Sequence, residues 1–241
     1  GEVDGQQLAD LMIGRELKPS HYEKKDVGYD PVVELKSVEY NKESKHNGLA
    51  GVSLTVNKGE IVGIAGVDGN GQTQLAQLIA GVISSGQGTV HMNGKQVQIF
   101  DPNNFINDGV AHIPEDRNLQ GLVGDMSIAD NLVLKETGNP KFSSGIFLKQ
   151  GVINEYAKDM IRKYDIRCQG YDQDVRSLSG GNQQKVILAR EIESEPDLLI
   201  AVHPTRGLDI GAADFVHDQM IKAREENVGI LLISADFDEV L

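Results

Sequence analysis

The segment that most constrains this chain's fold is Ile61-Val62-Gly63-Ile64-Ala65, an apolar run of strand length that opens directly into Gly66-Val67-Asp68-Gly69-Asn70-Gly71-Gln72-Thr73. Such a run reads as a buried strand, and the apolar periodicity from about Thr73 to Ala80 predicts a helix straight after the loop. The strand–loop–helix fits G-x-x-x-x-G-K-[ST] at every fixed position except one: Gln72 stands where lysine is expected. Glycines let backbone N–H groups turn inward around phosphate oxygens, and the helix start adds partial positive charge. Gly66, Val67, Asp68, Gly69, Asn70, Gly71, Gln72, Thr73 and Gln74 are therefore candidate phosphate-binding residues, with Thr73 placed to ligate a magnesium ion. A purely structural glycine turn fits the same residues, but the strand before and helix after favour the phosphate reading.

The missing lysine matters because it would neutralise phosphate charge. At an effective dielectric near 20, one unit pair at about 4 Å is worth roughly 4 kcal/mol before desolvation. Gln72 keeps a hydrogen-bond donor and supplies no charge, so tight binding and fast chemistry are not expected of this loop.

Elsewhere the pattern alternates. Val32 to Leu35 and Val52 to Val56 read as strands, Asn57 to Glu60 as a polar turn, and Gly88 to Ile99 as a hairpin turning at Asn93-Gly94. Val110 to Ile113 is a further short strand. From about Glu115 to Arg176 the character changes, with helices expected at Ser127 to Leu134 and Val152 to Tyr164 joined by a Gly/Ser/Pro-containing loop. The last third alternates again: helix Gly180 to Glu193, strand Leu198 to Val202, helix Ala212 to Glu226, strand Ile230 to Ser234. A helical insertion between α/β halves, around a mostly parallel sheet, is the simplest organisation. Residues 1–31 read as a tail: a short helix over Gln6 to Glu16 with Leu8, Leu11 and Met12 on one face, then a charged, proline-bounded linker from Lys18 to Pro31.

Bulk properties exclude several classes. The 241 residues carry a formal net charge of -13, which repels phosphate backbones, and no basic patch offsets it, so nucleic acid is not an expected partner. Cys168 is the only cysteine, which excludes an internal disulfide and a cysteine-based zinc site; it reads as a small buried apolar residue. No stretch approaches the roughly 18 apolar residues needed to cross a bilayer, so any membrane link runs through a partner.

Leu178-Ser179-Gly180-Gly181-Asn182-Gln183-Gln184-Lys185 leads into the helical run Val186 to Arg190. A serine cap before two glycines is also a common helix start. The whole segment, however, resembles the LSGGQ signature of ABC ATPases, in the LSGGNQQK form of bacterial sugar and nucleoside importers. The resemblance runs from about Val32 to the C-terminus. It implies an α/β ABC-type P-loop ATPase domain over residues 32–241, with a mostly parallel core sheet, an antiparallel β subdomain and a helical signature subdomain at about 115–190.

The family's chemical positions can then be located. After Leu198 to Ala201 an Asp-Glu pair is expected before Pro-Thr; the chain has Val202-His203-Pro204-Thr205. Gly207-Leu208-Asp209 matches the D-loop. Ala235 occupies the switch-histidine position, and Glu115 the place of the Q-loop glutamine. The losses remove metal coordination, general base and electrophile together, so no catalytic residue is expected in the chain's own site, and Mg²⁺ there is held weakly or not at all. In the family, ATP lies between the phosphate loop of one domain and the signature of another. Ser179, Gly180, Gly181, Asn182 and Gln183 are accordingly expected to complete a partner's site.

Leu8 to Leu17 resembles the segment linking two fused ATPase halves in ribose- and galactose-type importers, whose second half is usually the degenerate one. The resemblance implies ATP as ligand, a fused N-terminal ATPase half, transmembrane permease subunits, an extracellular solute-binding protein acting indirectly, and a place at the cytoplasmic face of the plasma membrane. It also implies a chain that stops short of the strands closing such a domain. The competing readings are a self-sufficient soluble ATPase, a scaffold that binds no nucleotide, and a non-transport ABC protein; the last lacks the expected basic linker or coiled-coil insertion.

Overall fold

Two sheets share the interior, and strand register decides what each presents. β1 (Pro31–Tyr40) pairs antiparallel with β2 (Leu49–Asn57). Strand β3 (Ile61–Ala65) runs through the glycine-rich loop into helix α1 (Gln72–Ile79). β4 (Gln87–Met92) and β5 (Lys95–Gln96) then complete a first sheet in the order β2-β1-β4-β5. The structure, a computed structural model, describes residues 27–40, 48–67 and 69–240. The helix expected over Gln6 to Glu16, most of the expected linker, and Asp68 lie outside them. Pro31, placed at the linker's end by the sequence, is the first residue of β1.

Helix α2 (Pro102–Asn107) and strand β6 (Val110–Ile113) follow, then one π-helical turn at Arg117–Gly121 and helix α3 (Ile128–Leu132). A small hairpin of β7 (Ser143–Ser144) and β8 (Phe147–Leu148) leads to α4 (Gln150–Lys163). The chain then alternates through α5 (Gly180–Ile192), β9 (Leu198–Val202), α6 (Ile210–Glu225), β10 (Gly229–Ser234) and the short α7 (Phe237–Val240). The second sheet is wholly parallel, in the order β3-β10-β9-β6.

Strand β9 explains the layering. Successive side chains point to opposite faces of a sheet. Leu198, Ile200 and Val202 pack into a core with α1, α2 and the antiparallel sheet, while Leu199 and Ala201 face a core built on α4, α5 and α6. Buried on both sides, the strand is a continuous apolar run, as parallel strands are.

The expected α/β class and mostly parallel sheet are what the structure has. Helix α2 is an addition, closed by Asp101, whose side chain accepts the Asn103 N–H, with Pro102 in the first turn. β1 and β2 run longer than expected because a bulge interrupts the alternation: Ser37 has φ 47° and the pairing shifts register between Leu35 and Val38. The loop expected between α3 and α4 contains the β7–β8 hairpin.

One charged cluster fastens the helical region to the parallel sheet. The Glu191 carboxylate, fully buried on α5, bonds Lys135 Nζ at 2.6 Å and Arg190 Nε at 2.9 Å, and accepts the backbone N–H of His112 on β6. Arg190 Nη2 also donates to the Gly121 carbonyl at 2.8 Å. Burial would raise the Glu191 carboxyl, but Lys135 and Arg190 outweigh it and hold it low. Burial lowers the His112 imidazole to about 4, with Glu191 opposing and Lys135 and Arg190 reinforcing the shift.

Removing one partner of a buried ion pair leaves an uncompensated charge. Glu191→Ala is expected to cost about 3–5 kcal/mol of unfolding free energy, measured by urea titration. The pH dependence follows from the lowered pKa values. Below its ordinary pKa of 6.5, His112 takes a proton more readily in the unfolded chain than in the folded one. Its contribution is therefore complete above about pH 6.5 and lost as pH falls toward 4, by about 3 kcal/mol in all. Glu191 adds a second loss below its ordinary 4.5. Urea titrations across pH 8 to 4 should show the first loss in the parent chain and not in His112→Leu.

Candidate functional site

The carboxyl ends of the parallel strands, where ligands of open α/β sheets bind, bring the sequence-predicted positions together. Ala65 pairs with Ser234 and Val202 with Ile233 across β3, β10 and β9. Gly66 N–H donates to Ser234 O at 3.2 Å. The glycine-rich loop, His203 and Ala235 therefore leave the sheet side by side, and Glu115 follows β6 on the far side of β9. Gly71 precedes α1 with φ 96°, and a Cβ there would lie 2.8 Å from the Gly48 carbonyl oxygen, so glycine is required.

The loop is occupied by its own side chain. Gln72 Oε1 accepts the Asn70 N–H at 2.9 Å, and Gln72 Nε2 donates to the Val67 carbonyl at 2.9 Å. Asn70 Nδ2 donates to that same carbonyl at 2.9 Å. The amide lies over the loop's first glycine, with Nε2 2.8 Å from where a Gly66 Cβ would be. A phosphate oxygen seeking the Asn70 N–H must displace it.

The positions around the loop do not fit a magnesium ion. Val202 is buried at the end of β9 and has no oxygen to offer. His203, with φ 46°, accepts the Ala235 N–H on Nδ1 at 3.3 Å. Glu115 is ion-paired with Arg206. Among the described residues no group of three or more His, Cys, Asp or Glu side chains is arranged to hold a metal. Thr73 remains, on the exposed side of α1 beside a cleft of about 710 Å³ walled by Ala76, Ala80, Phe105 and Leu119.

The signature segment is built differently. Ser179 is the exposed N-cap of α5, and its side chain makes no capping bond to the helix backbone. Its hydroxyl oxygen accepts from Asn182 Nδ2 at 2.9 Å, which leaves the O–H proton to donate outward. Asn182 Oδ1 in turn accepts the Arg167 N–H at 2.8 Å. Gln183, grouped with these residues by the sequence, turns inward instead: it is buried and donates to the Val175 carbonyl at 3.3 Å. Gly181 packs so closely on α6 that a Cβ would meet that of Ala212 at 3.0 Å. Asp209 caps α6 by accepting the Ala212 N–H.

Three residues at this end went unsignalled in the sequence. Glu239 on α7 accepts from Thr205 Oγ1 at 2.6 Å and contacts His217 Nε2 at 3.2 Å. Burial would raise its carboxyl, but hydrogen bonds from His217, Ser234 and Thr205 prevail and hold it low. Arg117 and Arg206 meet through the Arg206 carbonyl. Each lies far along the chain from its partners, so no local pattern marks them.

A doubly layered α/β core with a glycine-rich phosphate-type loop and a helix-capping signature defines an ATP-binding cassette fold. The chain belongs to the ABC transporter family, whose description matches residues 49–206. It is similar to the nucleoside import ATP-binding protein NupA of Lactococcus lactis, 40% identical over all of this chain and 48% of the relative. Similar too are the guanosine import ATP-binding protein NupO of Bacillus subtilis, at 39% over all of this chain and 47% of the relative, and a Bacillus cereus ribose import ATP-binding protein, RbsA, at 33% over all of this chain and 47% of the relative. The chain thus spans about half the length of these relatives. Its fold is like that of a bacterial ABC transporter cassette solved as a dimer, with a TM-score of 0.72, 20% identity, and coverage of 86% of this chain and 90% of the other.

Calorimetric titration with ATP tests the loop geometry. Because the Gln72 amide competes for the Asn70 N–H, Gln72→Ala is expected to bind ATP at least as tightly as the parent chain. Gln72→Lys should bind roughly tenfold tighter or more through a charge-assisted bond. Weaker binding by the alanine variant would show that Gln72 serves the phosphate rather than opposing it.

Proposed function

We propose that this chain is the second, degenerate nucleotide-binding unit of an importer ATPase for nucleosides or simple sugars, and that its signature completes the hydrolytic ATP site of an intact unit. One contrast carries the reading. The chain's own phosphate loop is filled by Gln72 and flanked by Val202, His203 and Ala235, while Ser179 stands exposed at the start of a 13-residue helix. A helix start with an outward hydroxyl suits the γ-phosphate of a nucleotide held by another domain. The nucleoside and ribose importer names of the relatives support the transport class, and coverage of about half their length leaves room for a second ATPase unit.

On this reading residues 32–241 are the nucleotide-binding domain, with its helical part at about 115–190. Residues 1–31 are the tail of the preceding half and a linker. The permease subunits supply the membrane link at the cytoplasmic face, and an external solute-binding protein delivers the solute. No helix among the described residues is long and apolar enough to cross a membrane. The chain's own site binds ATP weakly, with little gain from magnesium, and turns none over. The occupied loop also suits a scaffold that binds no nucleotide, and the titrations with ATP separate the two.

Steady-state ATP turnover of the full-length protein tests the composite site. A carboxylate at Gly181 would strain the contact with Ala212, so Ser179 is the better position. Ser179→Asp keeps a favourable N-cap and puts a negative charge where the γ-phosphate docks. Turnover is expected to fall roughly a hundredfold or more, at an unchanged melting temperature, as for loss of an oxyanion donor. Ser179→Ala should show a smaller fall. Parent-level turnover in Ser179→Asp would sink the composite-site reading.

A further inference from the structure

Glu115 stands where the family resemblance implies a glutamine, and the structure gives the acid a different partner. Its carboxylate pairs with the guanidinium of Arg206, 91 residues away in the turn that leads to Asp209. Two residues beyond Glu115, Arg117 reaches the same turn: Nη1 donates to the Arg206 carbonyl at 3.0 Å. Arg117 Nη2 lies 3.1 Å from where a Cβ on Gly180 would be and 3.5 Å from one on Gly207. The backbone carrying Arg117 is itself fixed, because Asp116 Oδ1 accepts the N–H groups of Asn118 and Leu119 at 2.9 and 3.0 Å. Residues 115–117, the Arg206-Gly207 turn and the signature glycine thus form one cluster, and Gly180 has no side chain to keep Arg117 away.

We infer that Glu115, Arg117 and Arg206 are positioning residues, a clasp that fixes the start of the signature helix against the Arg206-to-Asp209 turn so that both meet the opposite nucleotide in register. The inference rests on the reading that the signature completes a partner's site. Stability is not the clasp's main effect. Glu115 and Arg206 both reach solvent, at 34% and 59% side-chain exposure, and exposed pairs add little to folding. Geometry is where such a contact counts, since a misplacement on the order of 1 Å can cost about a hundredfold in rate. The acid is then a requirement rather than a decayed glutamine, because only a carboxylate forms the ion pair with Arg206.

A double-mutant cycle in the full-length protein tests this, with turnover measured for Glu115→Ala, Arg206→Ala, the double variant, Arg117→Ala, Glu115→Gln and Ser179→Asp. Each of the clasp variants, Glu115→Gln included, is expected to lower kcat roughly tenfold or more. KM for ATP should stay within about twofold and the melting temperature near that of the parent, as for loss of an exposed pair. The double variant should be no slower than the slower single, the mark of coupled residues. The exchanged pair Glu115→Arg with Arg206→Glu should recover most of the loss, which also guards against a single variant that folds poorly. Multiplicative losses, failure of the exchanged pair, or parent-level turnover in the singles while Ser179→Asp is inactive would overturn the clasp and leave the composite site standing. Full activity in Ser179→Asp would overturn both.

Discussion

Hydrogen bonding between β3, β10 and β9 sets everything at the site. Ala65 opposite Ser234 and Ile233 opposite Val202 fix where each strand ends, and therefore where the glycine-rich loop, His203 and Ala235 begin. Side chains alternate faces along a strand, so a slip of one residue would exchange the two cores and scatter the loops. Both strands are buried throughout, so each side chain from Leu198 to Val202 and from Ile230 to Ile233 fits a defined place in one of the two cores, and a slip would misfit them all at once. The site's address is thus fixed by core packing that takes no part in phosphate chemistry. The register that places Val202, His203 and Ala235 is therefore independent of what those residues can bind.

Elements with a strong local cause were legible in the sequence. The strand from Leu198 to Val202 has the expected bounds, and the turn at Asn93-Gly94 carries the positive φ values, 47° and 75°, that its residues suit. What escaped had either a short signal or none. Helix α2 rests on Asp101 and Pro102, a two-residue cue that opens a helix of only six residues. The bulge at Ser37 is a backbone event that breaks the alternation by which strands are recognised. At the site, the positions of Gln72, Val202, His203, Ala235 and Glu115 could be read from the motif order. The contacts of Gln72 and Glu115 could not, because a rotamer and an ion pair spanning 91 residues leave no trace in local pattern.

Charge is distributed with a clear division. The triad of half-buried Lys135 with buried Arg190 and Glu191 joins the helical region to the parallel sheet, with every charged partner close at hand. In the glycine-rich loop the contacts are made by the uncharged Gln72 amide, and the neighbouring strand end presents Val202. Glu115, the acid nearest that site along β6, is turned toward Arg206 and the signature. The charged side chains thus bind helix to sheet in one region, while in the loop an amide, Gln72, makes the contacts.

The burial of Val202 limits what its position can carry. At 4% exposure it packs into the core beneath α1, at the floor of the cleft beside Thr73. An aspartate there would bring a carboxylate into this packing with no charge from Gln72 to meet it, and Lys135 and Arg190, which also line the cleft, are already paired with Glu191; burying a carboxylate unpaired costs several kcal/mol. A single substitution of Val202 by a metal-binding carboxylate would thus be penalised in stability before any metal could be held. On the proposed reading the valine acts as a ratchet tooth: a self-sufficient site would need the carboxylate and a cation to arrive together, and either one alone brings no working site.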